Sequence, residues 1–103
     1  MNITNNKLFQ LGETTNITCS TPVPVQSIQW VNESNTVVKN GISMRELALN
    51  IMITPSSNNT RYTCTVSDGG GFMESETVEI TVGGNVKHLG SSYNIVSYMH
   101  LYR

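Results

Sequence analysis

A chain of 103 residues with 38% hydrophobic residues, 13% charged residues and a formal net charge of −1 at pH 7 is the size of one domain with one modest core. This balance leaves no basic field for nucleic acid and no acidic tail. No segment approaches the roughly 18 apolar residues that a membrane helix needs, so no membrane contact is expected within the chain.

Charge is uneven along the sequence. Residues 1–82 hold four Lys/Arg and seven Asp/Glu (4 − 7 = −3), whereas residues 83–103 hold Lys87 and Arg103 and no acid (+2). The N-terminus has no charged region leading into a hydrophobic one, so a secreted origin implies excision from a longer parent, itself either secreted or membrane-anchored.

Apolar residues recur with a period of two and no helix-period segment is present, so the predicted elements are strands. In chain order, "KLFQL" (7–11) is a weak candidate, and the turn signal "LGET" (11–14) precedes the first firm strand. That strand, "TNITC" (15–19), aligns Thr15, Ile17 and Cys19. "STPVPV" (20–25) follows, and its two prolines exclude a central strand there. "SIQWV" (27–31) places Ile28 and Trp30 together. The weak candidates "TVVK" (36–39) and "ISMR" (42–45) flank a tight turn predicted at "KNG" (39–41). "LALNIMI" (47–53) aligns Leu47, Leu49, Ile51 and Ile53, and "TPSSNN" (54–59) reads as a polar corner. "RYTCTV" (61–66) aligns Tyr62, Cys64 and Val66, "DGGG" (68–71) reads as a flexible loop tip, and "TVEITV" (77–82) aligns Val78, Ile80 and Val82. The opposite faces are mostly Thr, Asn, Gln and Glu. Half-buried strands of this kind fit two antiparallel sheets packed face to face, and seven or so of them predict an all-β sandwich.

Groups able to do chemistry are few. A nucleophilic Cys64 needs a nearby histidine, but His88 and His100 both lie in the C-terminal tail. Cys19 and Cys64 with two tail histidines fit no zinc-ligand spacing. Asp68 is the only Asp, and Glu74, Glu76 and Glu79 read as a solvated strand face rather than a paired-carboxylate site. "DGGGF" lacks the Gly-Lys-Ser ending and the following helix of a phosphate loop. No catalytic residue, metal or cofactor is expected. Two cysteines are an even number with a bridge-compatible separation. Asn-x-Ser/Thr occurs four times, at Asn2, Asn16, Asn32 and Asn58. Cysteines and sequons together predict an extracellular compartment and N-linked glycans.

The spacing Cys19…Trp30…Tyr62-x-Cys64 resembles the immunoglobulin superfamily. "GETTNITC" resembles the turn and second strand of that fold, "IQW" its third, "LALNI" its fifth and "TVEITV" its last, so the likeness covers about residues 7–82. The resemblance implies a Greek-key sandwich in which Cys19 and Cys64 bridge the two sheets and Trp30 packs against the bridge. It also implies that Tyr62 buries its ring and hydrogen-bonds its hydroxyl to the backbone of the preceding corner. The match departs at Asn58 and Thr60, where the family usually carries Asp and Gly, which removes the usual charge pair at that corner. The 33-residue stretch between Trp30 and Cys64 (residues 31–63) is too short for the extra hairpin of a variable-type domain. An intermediate or constant-like type is therefore implied.

On this layout the Asn16 sequon coats the sheet holding the first, second and fifth strands. The outward residues of the other sheet (Gln29, Val31, Thr63, Thr65, Thr77 and Glu79) carry no internal sequon, though the Asn32 sequon borders them, and form a candidate binding face. The loop Asp68, Gly69, Gly70, Gly71, Phe72 and Met73 is a second candidate, either an adaptable apolar tip or a segment tucked back into the sandwich end. Residues 83–103 follow a boundary at "GGN". They read as an extra strand, the start of a next domain, a linker or interface segment, or sequence foreign to the domain, with a rough alternation through Val96, Tyr98 and Leu101. If ordered, they are expected to pack on the sandwich or on another copy, as by adding a strand to an open edge. The expected function is protein–protein recognition, homophilic binding included, by a module of a cell-surface receptor or adhesion protein. The alternatives are a structural spacer in a tandem array, extracellular or intracellular, and a soluble decoy or immune effector.

Overall fold

The computed structural model describes residues 1–95, with side chains through Ser92. Six strands run in chain order: β1 (Asn2–Asn5), β2 (Thr14–Val31), β3 (Val37–Met52), β4 (Arg61–Ser67), β5 (Phe72–Glu79) and β6 (Lys87–Ile95), with a single 3-10 turn at Pro55–Ser57. Every pairing is antiparallel. The two long strands each serve both layers of an immunoglobulin-like sandwich. Residues 14–20 of β2 pair with β1 on one side and with residues 46–52 of β3 on the other. Residues 25–31 of β2 pair with residues 37–44 of β3 and with β4, and β5 and β6 continue that second layer.

The crossing between layers explains the prolines. The β2–β3 register lapses between Ser20 and Val25, so Pro22 and Pro24 sit where the strand runs extended but forms no registered pair. A residue without an N–H breaks no ladder bond there.

Three sequence expectations fail locally. The predicted turn at 39–41 lies inside β3, with Lys39, Asn40 and Gly41 opposite Trp30, Gln29 and Ile28. Gly41 is buried, and a Cβ on it would collide with the Met44 thioether, so this glycine serves close packing rather than a reversal. The weak candidate at 7–11 is not a strand, and the edge strand is Asn2–Asn5 instead. Ile3, opposite Cys19, supplies the edge strand's core contact, while Phe9 inserts as a fully buried plug held by backbone hydrogen bonds to Gly83 and Gly84. Of "TVEITV", only Thr77–Glu79 belong to a strand, although Ile80 remains fully buried.

The core follows the predicted alternation. Ile28, Trp30, Cys64, Val66, Val78 and Ile80 are all essentially inaccessible, as are Ile17 and Cys19 of the first layer, where Leu47, Leu49 and Ile51 lie opposite Cys19, Ile17 and Thr15. Cys19 and Cys64 form a disulfide with Cα atoms 6.4 Å apart. Trp30 lies level with Cys64 on the neighbouring strand, and its Nε1–H donates to the Leu47 carbonyl at 2.9 Å. Buried Thr15 is satisfied too, donating to Asn6 Oδ1 at 2.6 Å.

Tyr62 is half-buried against this core, but among the described residues its hydroxyl does not hydrogen-bond to the preceding corner. Short polar side chains already close that corner. The Ser57 hydroxyl accepts from Thr54 N–H, Thr60 Oγ1 donates to the Ser57 carbonyl at 2.6 Å, and Asn58 Oδ1 accepts from Val82 N–H at 3.0 Å. Asn59 supplies the left-handed residue, with φ of 68°.

Of the tail, residues 87–95 form β6, which lengthens the second layer beside β5. The alternation through Val96, Tyr98 and Leu101, together with His100, lies outside the described residues.

Candidate functional site

The outer face of the second layer brings the six predicted residues together. Along β2, Ile28 and Trp30 point into the core, so Gln29 and Val31 point outward. The same alternation turns Thr63 and Thr65 of β4 outward on either side of Cys64. Pairing then sets rows across the sheet. Val31, Thr63, Thr77 and Gly90 form one row, and Gln29, Thr65, Ser75 and Ser92 the next. Five strands at the usual spacing make a surface about 19 Å wide.

This face is neutral across its middle and apolar at its margins. Its charged side chains at one end are Arg61 and Glu79, which pair at 3.4 Å, and Lys87, opposite Glu79 on β6. Thr63 and Thr77 share a hydroxyl–hydroxyl bond of 2.8 Å, and Ser75 and Ser92 another of 2.9 Å. On the β3 side, Val37 pairs with Val31 and Ile42 with Ser27, and both side chains are exposed, Ile42 at 71%. On the β6 side, a register slip opposite Thr77 and Val78 leaves Leu89 unpaired. Leu89 lines a cleft of about 330 Å³ with Arg61, Ser75, Thr77 and Ser92. A partner seated here would strip water mainly from hydroxyls and methyls, a far smaller cost than desolvating charges.

The sequence reading missed Arg61 and Ser75. Both carry the signal that found the others, since each lies two residues from a predicted position on its strand. It missed Val37 and Ile42 because a turn was expected between them, and the β6 residues because periodicity does not report which strands pair.

The loop after β4 divides at its end. Asp68 Oδ1 accepts from Gly70 N–H at 2.7 Å and Phe72 N–H at 3.2 Å, while Gly69 and Gly71 take positive φ angles of 81° and 106°. A Cβ on Gly69 would collide with the Gln26 side chain, which lies directly over it. Adjacent residues of a strand point to opposite sides, so the two apolar residues part company. Phe72 is half-buried and lines a cavity of about 360 Å³ with Pro22, Val23, Pro24, Val25 and Val66, while Met73 stays 43% exposed. The Met1 ammonium closes this cavity through an ion pair with Glu74 at 3.6 Å.

The sequons fall elsewhere. Asn2 and Asn16 project from the outer face of the first layer, since their neighbours Ile3 and Ile17 are buried. Asn32 and Asn58 lie at the end of the sandwich opposite the 68–71 loop, Asn32 at the border of the outer face, where it lines a cavity with Arg61, Thr63 and Thr77. Each of those two uses its carbonyl oxygen as an acceptor, Asn32 from Ser34 and Thr36 N–H and Asn58 from Val82 N–H. Those bonds leave the amide nitrogen, the atom a glycan attaches to, uncommitted.

No catalytic or metal centre emerges among the described residues. His88 Nδ1 contacts the Glu76 carboxylate, and no group of three or more His, Cys, Asp or Glu side chains is placed to hold a metal. The Tyr62 phenol is pushed above its ordinary pKa by burial first and by the nearby Glu33 carboxylate second. Among the described residues no helix is long and apolar enough to cross a membrane.

Comparison with known families agrees with this architecture. Residues 6–82 match the family model described as the immunoglobulin domain. Searches of curated proteins and of solved structures returned no match. The chain belongs to the immunoglobulin domain family.

Proposed function

We propose that this immunoglobulin domain is an extracellular recognition module that binds a protein partner, a second copy of the chain included, through the outer face of its second layer. One observation carries the reading. Asn2 and Asn16 map to the other layer and Asn58 to the end of the sandwich, while Asn32 stands at the Arg61 end of this face, where it lines a cavity with Thr63 and Thr77, so a glycosylated chain keeps the centre of the face and its β6 side bare. Glycans are hydrated and bulky, and a face reserved for docking stays free of them. The disulfide suits the oxidising space in which glycans are added. The module acts by binding within a cell-surface receptor or adhesion protein, and it catalyses nothing.

The experiment places a glycan on the face. Ser75→Asn creates the sequon Asn-Glu-Thr in the centre of the sheet, beside Thr65. The domain, secreted from a glycosylating host, is assayed by sedimentation for self-association and by tetramer staining of intact cells. The expected result is loss of binding in Ser75→Asn, retention in Ser75→Gln, which places a similar amide there without a sequon, and loss in Val31→Arg and Thr65→Arg. Asn50→Arg, on the opposite layer and outside every sequon, should change nothing. Full binding with the Ser75 glycan in place would overturn the proposal.

A further inference from the structure

The second layer ends in β6, whose far side has no hydrogen-bonded neighbour among the described residues. A strand edge is a row of unpaired N–H and C=O groups ready to accept another chain, and proteins ordinarily guard such edges with charge, proline, irregularity or shortness. The other three edges of this sandwich are guarded. β1 has only four residues and begins at the Asn2 sequon. The 46–52 stretch of β3 starts on Glu46 and runs out toward Pro55, with the Asn16 sequon opposite Asn50 on the adjoining strand. The 37–44 stretch carries Lys39, register irregularities and a left-handed Ser43, with φ of 56°. β6 has nine residues, no proline and no sequon, and Lys87 at its first position is its one fixed charge. Its irregularity falls at Leu89, which leaves residues 90–95 in regular register.

We propose that β6 is a self-association edge, along which two copies pair antiparallel about a two-fold axis so that their second layers join into one sheet, five strands from each copy. An antiparallel edge is complementary to itself, because a two-fold rotation brings each outward N–H opposite an outward C=O. Charge selects a second copy as the occupant. With the axis near Ser91 or Ser92, the two Lys87 ammonium groups lie at opposite ends of the seam, on the order of 27 Å apart. No acid within residues 83–95 is left facing its own image. The seam uses backbone groups and leaves the outer face open, so its failure would not touch the proposal for that face.

The test uses the full 103-residue chain with Ser92→Lys and Ser92→Glu. Position 92 faces outward beside Ser75, away from Glu74 and Glu76, and an axis at Ser91, Ser92 or Tyr93 brings the two copies of it opposite or diagonal to one another. By sedimentation velocity at about 0.1 mM, where a micromolar Kd populates the pair, the unmodified chain should be dimeric. Each variant should weaken dimerisation about tenfold or more through like-charge repulsion, and an equimolar mixture of the two should recover it as a mixed dimer. Backbone amide exchange in residues 87–95 should slow with protein concentration in the unmodified chain and in the mixture, but not in either variant alone. Circular dichroism confirms that each variant is folded. A monomer at this concentration, a variant that dimerises as well as the parent, or a mixture with no preference for the hetero-pair would each overturn the proposal.

Discussion

Consider replacing Cys19 and Cys64 together by alanine. The bridge closes a loop running from residue 19 to residue 64, a separation of 45. In the chain-entropy model, opening that loop in the denatured state costs the protein about 4 kcal/mol at 25 °C. Both sulfurs are fully buried beside Trp30. Deleting them leaves two small voids, each adding about 1 kcal/mol, by analogy with removing one buried heavy atom. The sum of about 6 kcal/mol is comparable with the whole stability of a domain this size, roughly 5–15 kcal/mol. Urea unfolding followed by the fluorescence of Trp30, the only tryptophan and wholly inaccessible when folded, reads the loss directly. The denaturation midpoint should fall steeply and the m-value should rise, because a denatured chain without its cross-link exposes more surface. The parent chain unfolded under reducing conditions should fall between the two, having lost the loop restraint but kept the sulfur atoms. A double variant within about 1 kcal/mol of the oxidised parent would refute the reasoning, since the denatured ensemble would then not be the state that the bridge restrains.

Trp30→Phe should cost about 2–4 kcal/mol, measured by circular dichroism during urea unfolding, because it removes the N–H that satisfies the buried Leu47 carbonyl and also shrinks the ring. Tyr62 sets an alkaline limit. Its folded pKa is raised above the ordinary value of 10.0, so its contribution to stability is complete below that pH and is lost as pH rises through the folded value. Stability should therefore decline above about pH 10, less so in Tyr62→Phe. Glu33→Gln should lower the pH at which the Tyr62 phenolate forms, followed by ultraviolet absorbance as the difference between parent and Tyr62→Phe. An unchanged titration in Glu33→Gln would rule out the electrostatic contribution.

Much of this protein is legible along the chain. The inward sets Ile17–Cys19, Ile28–Trp30 and Cys64–Val66 follow from alternation alone, because side chains of a strand point to opposite faces whatever the topology. The cysteine, tryptophan and tyrosine spacing added the family and the disulfide partner. The same alternation turned Gln29, Val31, Thr63, Thr65 and Thr77 outward on their own strands, the family resemblance put those strands in one sheet, and the sequons are read directly from triplets. What failed was local geometry that depends on distant atoms. "KNG" has the composition of a turn, yet Gly41 lies within a strand because Met44 fills the space a side chain would take. Tyr62 occupies its expected position, but its hydroxyl leaves the corner alone because Ser57, Asn58 and Thr60 have already satisfied it. The sequence by itself determined the faces of the strands, since alternation is a property of each strand's own backbone. Only the tertiary structure decided which strands are neighbours, and with them the width of the outer face, the place of β6 and the edge left open. Pairing is a hydrogen-bonding choice among remote segments, and no local pattern encodes it.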